Sequence, residues 1–214
     1  MEANESLIEV KKTARYYTLG EYTSKTEEVV VAFHGYAQLA KYFIKKFEPI
    51  VNDKRILVAP EGLSKFYWQG MDGRVVASWM TKEDRANEIK DQQTYLDDFY
   101  KLIQKKYPNT KITLLGFSQG VATMMRWIHN SEILKFNRLV LWAGGLPMDV
   151  MGQTMINKIK SKEPVFVYGD NDQFIKKEDV ERILDKLKDE NLFINIQEFE
   201  GDHNIFEKPL LKLF

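Results

Sequence analysis

Between residues 111 and 120 a β-prone apolar run, Lys-Ile-Thr-Leu-Leu, meets Gly116-Phe117-Ser118-Gln119-Gly120 and passes at once into a helical pattern, Gln119 to Asn130. A chain that turns from strand to helix over so few residues must take a strained backbone angle at the turning residue. Side chains on either flank would collide with the adjoining strand and helix, and glycine removes both collisions. The arrangement calls for a buried strand, a helix laid on its sheet, and a serine hydroxyl raised above the strand end. A glycine-rich turn can also cap a helix or hold a phosphate at its N-terminus. No phosphate-loop Lys follows this one, which favours Ser118 as a nucleophile.

The rest of the chain supplies the sheet such a turn requires. Runs rich in β-branched and aromatic residues recur at Val29–Phe33, Ile56–Ala59, Lys111–Phe117, Arg138–Trp142, Val165–Tyr168 and Phe193–Phe199, and read as mostly buried strands. Helical patterns separate them at Gln38–Val51, Glu83–Tyr107, Gln119–Asn130 and Lys176–Glu190, the second ended by Pro108. Parallel strands need crossovers, and crossovers are usually helices, so the alternation predicts an α/β fold: a mostly parallel central sheet with helices on both faces. Ser6–Val10 and Thr13–Leu19 are expected to add an antiparallel edge hairpin. No linker composition or repeat divides the chain, so residues 1–214 read as one domain.

Composition removes several function classes. The 31 Lys and Arg balance 31 Asp and Glu, which argues against a nucleic-acid partner. Cysteine is absent, excluding disulfides, thiolate nucleophiles and thiolate metal sites. Met1 to Glu9 carries three Glu and no basic apolar run, and the apolar stretch Val29–Phe33 is far short of a membrane span. The expectation is a cytoplasmic protein without stable membrane insertion.

A serine hydroxyl needs a general base, itself oriented by a carboxylate. Three histidines are available. His129 lies about three turns along the helix that follows Ser118, out of reach. His34 ends a strand in a tight loop and reads as structural. His203, in Gly201-Asp202-His203-Asn204 directly after the last strand, is placed to swing over the sheet and is the expected base. The strand Val165–Tyr168 opens into Gly169-Asp170-Asn171-Asp172, so either Asp170 or Asp172 is in position to orient it. Either choice gives the chain order Ser, Asp, His of the α/β hydrolases.

These residues resemble the α/β-hydrolase superfamily and, within it, the phospholipase/carboxylesterase family of acyl-protein-thioesterase-like small serine esterases. The likeness runs from Val29 to His203. It rests on Phe33-His34-Gly35, Gly116-Phe117-Ser118-Gln119-Gly120, Trp142-Ala143-Gly144-Gly145-Leu146-Pro147, Gly169-Asp170-Asn171-Asp172 and Gly201-Asp202-His203. The resemblance implies a triad of Ser118, Asp172 and His203, with Asp170 holding the turn. It also implies an oxyanion hole made by the backbone N–H groups of Tyr36 and Gln119. Two departures stand out: His34-Gly35-Tyr36-Ala37-Gln38 replaces the commoner His-Gly-x-Gly-Asp, and Gln173 stands where Pro often follows the acid. Little chain lies between Trp142 and Val165, so no large cap domain is expected.

The connection Glu61–Lys82 is long and carries Phe66, Tyr67, Trp68, Met71, Trp79 and Met80, and is expected to form an acyl-binding groove or partial lid. Trp68, Trp79 and, from the loop after Trp142, Leu146 are the expected substrate-binding residues. Met124, Met125 and Trp127 lie inside the helix after Ser118 and are expected to pack on the sheet. The expected reaction is hydrolysis of a small-molecule acyl ester or thioester through an acyl-enzyme, with no metal or organic cofactor, by a monomer or homodimer. Peptidase or C–C hydrolase activity would use the same triad with a different pocket. A non-catalytic ligand-binding member is the remaining alternative.

Overall fold

The computed structural model describes residues 3–214. Seven strands form the main sheet: β1 (Tyr16–Leu19), β2 (Glu28–Phe33), β3 (Arg55–Pro60), β6 (Lys111–Phe117), β7 (Arg138–Trp142), β8 (Val165–Gly169) and β9 (Asn195–Phe199). Their spatial order is β1-β3-β2-β6-β7-β8-β9, with β1 antiparallel to β3 and every other pair parallel. The helices are α1 (Ala40–Phe43), α2 (Arg85–Lys106), α3 (Gln119–Asn130), α4 (Gln153–Ile159), α5 (Lys177–Asp189) and α6 (Glu207–Leu213). This is the α/β-hydrolase fold, and only α4 and a short 3-10 turn occupy the space between β7 and β8 where a cap domain would be inserted.

Continuous apolar runs form these strands because both faces of the sheet are covered. In β2, Val29, Val31 and Phe33 face a core built with α2, α3, α4 and α5, while Val30 and Ala32 face a second core built with α1, the 3-10 segment Ile44–Ile50 and α6. Chain order then fixes where chemistry can happen. After β2 the chain steps outward to β3, then crosses back to β6 on the other side of β2. The carboxyl ends of β2 and β6 therefore flank a topological switch point, where open α/β sheets bind ligands.

Three expectations change. Residues 6–10 form no strand; Tyr16–Leu19 instead completes the free edge of β3, where Tyr16 packs edge-on against Phe99 at 5.6 Å between ring centroids. The helix expected over Gln38–Val51 is α1 followed by 3-10 structure containing Pro49, whose missing N–H cannot extend an α ladder. The connection 61–82 is not an open loop: Ser64–Tyr67 (β4) and Val75–Ser78 (β5) pair as an antiparallel hairpin. Sequence reading also passed over α4 and α6. Among the described residues no helix is long and apolar enough to cross a membrane.

The β6–α3 turn explains its glycines. A Cβ on Gly116 would lie 2.7 Å from the Cα of Val121, and one on Gly120 would lie 2.3 Å from the carbonyl oxygen of Phe33. Both obstacles are backbone, so neither can move aside cheaply. We expect Gly120→Ala to destabilise the fold by about 3 kcal/mol or more in urea denaturation. Gly145→Ala, whose added carbon meets nothing within 4 Å, should stay within about 0.5 kcal/mol of the parent.

Candidate active site

Ser118 takes φ 53° and ψ −120°, in a region that residues with a Cβ rarely visit. Its N–H donates to the Trp142 carbonyl at 2.9 Å, which locks the turn to the end of β7. The hydroxyl lies 3.0 Å from His203 Nε2, and His203 Nδ1 lies 2.7 Å from Asp172 Oδ2. An ionised carboxylate can only accept, so Nδ1 carries the ring proton and Nε2 is free to take the serine's. The other oxygen of Asp172 accepts the N–H groups of Phe174 at 2.8 Å and Ile175 at 3.0 Å. With its side chain fully buried, that carboxylate is held in one orientation.

The His203 loop is anchored on several sides. Trp142 Nε1 donates to the Asn204 carbonyl at 3.0 Å, and Lys46 Nζ donates to Asn204 Oδ1 at 2.5 Å. Burial pushes the Lys46 ammonium below its ordinary pKa, against the pull of Asp202. Phe117 and Phe174 pack on the imidazole at 5.0 and 4.8 Å. Asp170 does not touch His203. Its Oδ1 accepts the Gly201 N–H at 2.9 Å and so ties the β8 turn to the histidine loop.

The backbone N–H groups of Tyr36 and Gln119 find no acceptor among the described residues. The His34–Gln38 loop that carries Tyr36 rests on His34 itself. That ring is fully buried, stacks on Trp79 at 4.8 Å, donates from Nδ1 to the Gly35 carbonyl at 2.8 Å, and accepts the Gly62 N–H on Nε2 at 2.9 Å. Desolvation lowers its pKa from 6.5 to about 4, although its bond to Gly35 and nearby Glu61 oppose the shift and Lys65 adds to it. His34 is therefore neutral near pH 7.

The expected substrate residues separate. Trp68 is half-buried against Tyr36, with rings 6.0 Å apart, on the solvent side of the His34–Gln38 loop. Trp79 is a correction: it is completely buried, and its Nε1 donates to the His34 carbonyl at 2.8 Å, so it supports the loop from beneath and does not line a groove. Leu146 is largely buried in the core on the α3 face of the sheet. Met124, Met125 and Trp127 are buried there too, as expected. Sequence reading missed Phe174, 69% exposed beside His203, whose proximity to the expected acid was its only signal. It also missed the Gln119 side chain, which hydrogen-bonds Trp79 and Met80 of the segment after β5.

A strained serine at a strand-to-helix turn, on this sheet and within hydrogen-bond reach of a histidine, defines a serine hydrolase of the α/β-hydrolase class. The model of the Serine hydrolase (FSH1) family matches residues 24–209, and the chain belongs to that family. Among solved structures, the chain is similar to acyl-protein thioesterase 2 of Zea mays at 15% identity and TM-score 0.71, covering 94% of this chain and 96% of that one. Esterase PE8 is similar at 19% identity and TM-score 0.68, with coverage of 94% and 95%. A Bacillus cereus carboxylesterase is similar at 15% identity and TM-score 0.64, with coverage of 94% and 91%. At those identities the likeness is one of fold. No curated protein sequence matches significantly.

The buried neutral histidine has a consequence for stability. An unfolded chain takes up the His34 proton as pH falls below 6.5, whereas the folded protein resists until about pH 4. Stability from this group is complete above pH 6.5 and is lost as pH falls toward 4, by on the order of 3 kcal/mol. NMR should show the His34 ring neutral and Nδ1-protonated at pH 5. A ring titrating near 6.5 would contradict its burial.

Proposed function

We propose that the protein hydrolyses carboxylic esters or thioesters through an acyl-enzyme, within one α/β-hydrolase domain. The observation that carries this reading is the unbroken hydrogen-bond chain from Ser118 through His203 to the buried Asp172, with steps of 3.0 and 2.7 Å. Ser118 Oγ attacks the acyl carbonyl as its proton passes to His203 Nε2. Asp172 stabilises the imidazolium through Nδ1 and holds the ring in line. The negative charge on the carbonyl oxygen is met by the N–H groups of Tyr36 and Gln119, each worth a few kcal/mol of barrier (about 3–4) when preorganised. His203 then protonates the departing alkoxide or thiolate. Water, deprotonated by the same imidazole, releases the acid and restores Ser118.

An apolar substrate group suits the walls beside these donors. Tyr36, Phe66 and Trp68 cluster with ring separations of 5.5 to 6.3 Å on the oxyanion side, and exposed Phe174 stands on the histidine side. Fold relatives named as esterases and a thioesterase support the same reaction class.

The test is hydrolysis of p-nitrophenyl esters from acetate to palmitate. Ser118→Ala, His203→Ala and Asp172→Asn should each lower kcat by roughly 10⁴-fold while the protein stays folded. Asp170→Asn retains an acceptor for Gly201 and should remain within a few-fold of wild type. A greater loss from Asp170→Asn than from Asp172→Asn would reverse the acid assignment, and serine-independent turnover would end the triad reading.

A further inference from the structure

The two N–H groups proposed to bind the oxyanion sit on separate pieces of chain, and both pieces are fastened to the same short segment, residues 77–80. On the loop side, the Ala77 N–H donates to the Gln38 carbonyl at 3.1 Å and the Trp79 indole donates to the His34 carbonyl at 2.8 Å. The Gln38 side chain closes the loop by accepting the Gly35 N–H at 2.9 Å. These bonds bracket Tyr36 and also hold Ala37 at φ 57°, a left-handed conformation that disfavours a residue with a Cβ by ~1–2 kcal/mol. Such strain persists only where the surroundings over-determine it.

On the elbow side, the fastening is the Gln119 carboxamide. Its Oε1 accepts the Trp79 N–H at 3.1 Å, and its Nε2 donates to the Met80 carbonyl at 2.9 Å and to Ser78 Oγ at 3.2 Å. Ser78 directs its own proton to the Met80 carbonyl at 2.9 Å, which leaves its oxygen free to accept. One residue thus contributes its backbone N–H to the proposed hole and uses its side chain to grip the strand end that carries the other donor's loop.

We infer that the Gln119 carboxamide is a positioning group: acting through residues 77–80, it sets the spacing between the Tyr36 and Gln119 backbone donors. The inference rests on the triad reading above. Its effect falls on the tetrahedral state, because a carbonyl in the ground state asks little of the hole, while displacement of a donor by about 1 Å weakens catalysis by up to ~10²-fold. A Gln119 that merely anchored the β4–β5 hairpin would affect stability and substrate affinity, with no selective loss in the chemical step.

The test compares wild type with Gln119→Met, similar in length but unable to hydrogen-bond, and Gln119→Glu, which keeps the acceptor for Trp79 but loses the donor to Met80 when ionised. The readouts are kcat and KM for p-nitrophenyl butyrate, inhibition by an alkylboronic acid that becomes a tetrahedral anion on Ser118, and the rate of labelling by a fluorophosphonate. In that labelling, Ser118 Oγ displaces fluoride from phosphorus and its proton passes to His203. For Gln119→Met we expect kcat to fall roughly 30- to 100-fold with KM within about threefold, and boronate affinity to fall in parallel with kcat. Gln119→Glu should lie between that variant and wild type.

Should Gln119→Met not fold, Trp79→Phe removes the indole donor to His34 together with part of the ring stacked on it, and should show the same division between kcat and KM at smaller amplitude. Retention of kcat within threefold, or a loss of kcat without loss of boronate affinity, overturns the inference. A wild type that is labelled at Ser118 yet hydrolyses no ester would sink the substrate reading alone, and the labelling rates would still decide the role of Gln119. A wild type inert to the fluorophosphonate would remove the triad reading and this inference with it.

Discussion

The backbone of Ser118 can hold φ 53° because three pieces of chain close on it at distances only backbone contacts allow, and the rest of the site is measured from that point. Gly116 lets α3 begin against β6, and Gly120 lets it pass under the carbonyl at the end of β2. Trp142 then serves as a ruler across the site. Its carbonyl receives the Ser118 N–H at 2.9 Å, and its indole N–H grips the Asn204 carbonyl at 3.0 Å. The serine turn and the histidine loop are therefore fixed to opposite ends of one rigid, fully buried residue. A Ser–His separation of 3.0 Å needs no further adjustment once β6 and β7 pair in register, Phe117 opposite Trp142.

The polar groups behind the His34–Gln38 loop follow a second rule, that nothing buried there is left unpaired. His34 satisfies both ring nitrogens locally, with the Gly35 carbonyl and the Gly62 N–H, and stays uncharged. Glu61, one residue earlier than Gly62, takes the Arg15 guanidinium on one oxygen at 2.6 and 2.9 Å and the first N–H of α1 on the other at 3.2 Å. The pairing with Glu61 raises the Arg15 pKa against a smaller effect of burial. β1 thus does more than complete a sheet edge: Arg15, immediately before it, covers the charge that lets β3 end beside the His34–Gln38 loop.

Elements whose signal is local were readable from residues alone. The six parallel strands, α2, α3 and α5 lie within a few residues of their expected bounds, because each is a periodic apolar run closed by Gly, Pro or charge. The positions of Ser118, Asp172 and His203 were readable for the same reason, since each follows a strand directly. Asp172 was separable from Asp170 only by resemblance, because two residues past a strand end differ in orientation and not in pattern. What escaped was set by long-range contact. Whether 61–82 pairs with itself depends on Ala77 finding Gln38 and on Gln119 finding Met80, partners 39 residues apart in each case. Trp79 looked like a pocket residue by composition, and only the burial of His34 beneath it reveals an indole spent on holding a loop.

That hairpin changes how the mouth of the site must work. β4–β5 and the residue after it bury Val76, Ala77 and Trp79, and present Phe66, Tyr67, Trp68 and Val75 at least partly to solvent. At the tip, Gln69 and Gly70 both turn with positive φ and Met71 is 87% exposed. Because Trp68 and Phe66 pack on Tyr36, whose backbone N–H is one proposed oxyanion donor, the aromatic wall and the donor share one rigid unit. In the proposed mechanism, a group bound against that wall would bear on the same residue that meets the developing charge. Binding energy from the non-reacting part of a substrate is thereby available at the reacting carbonyl, which is the condition for converting affinity into rate.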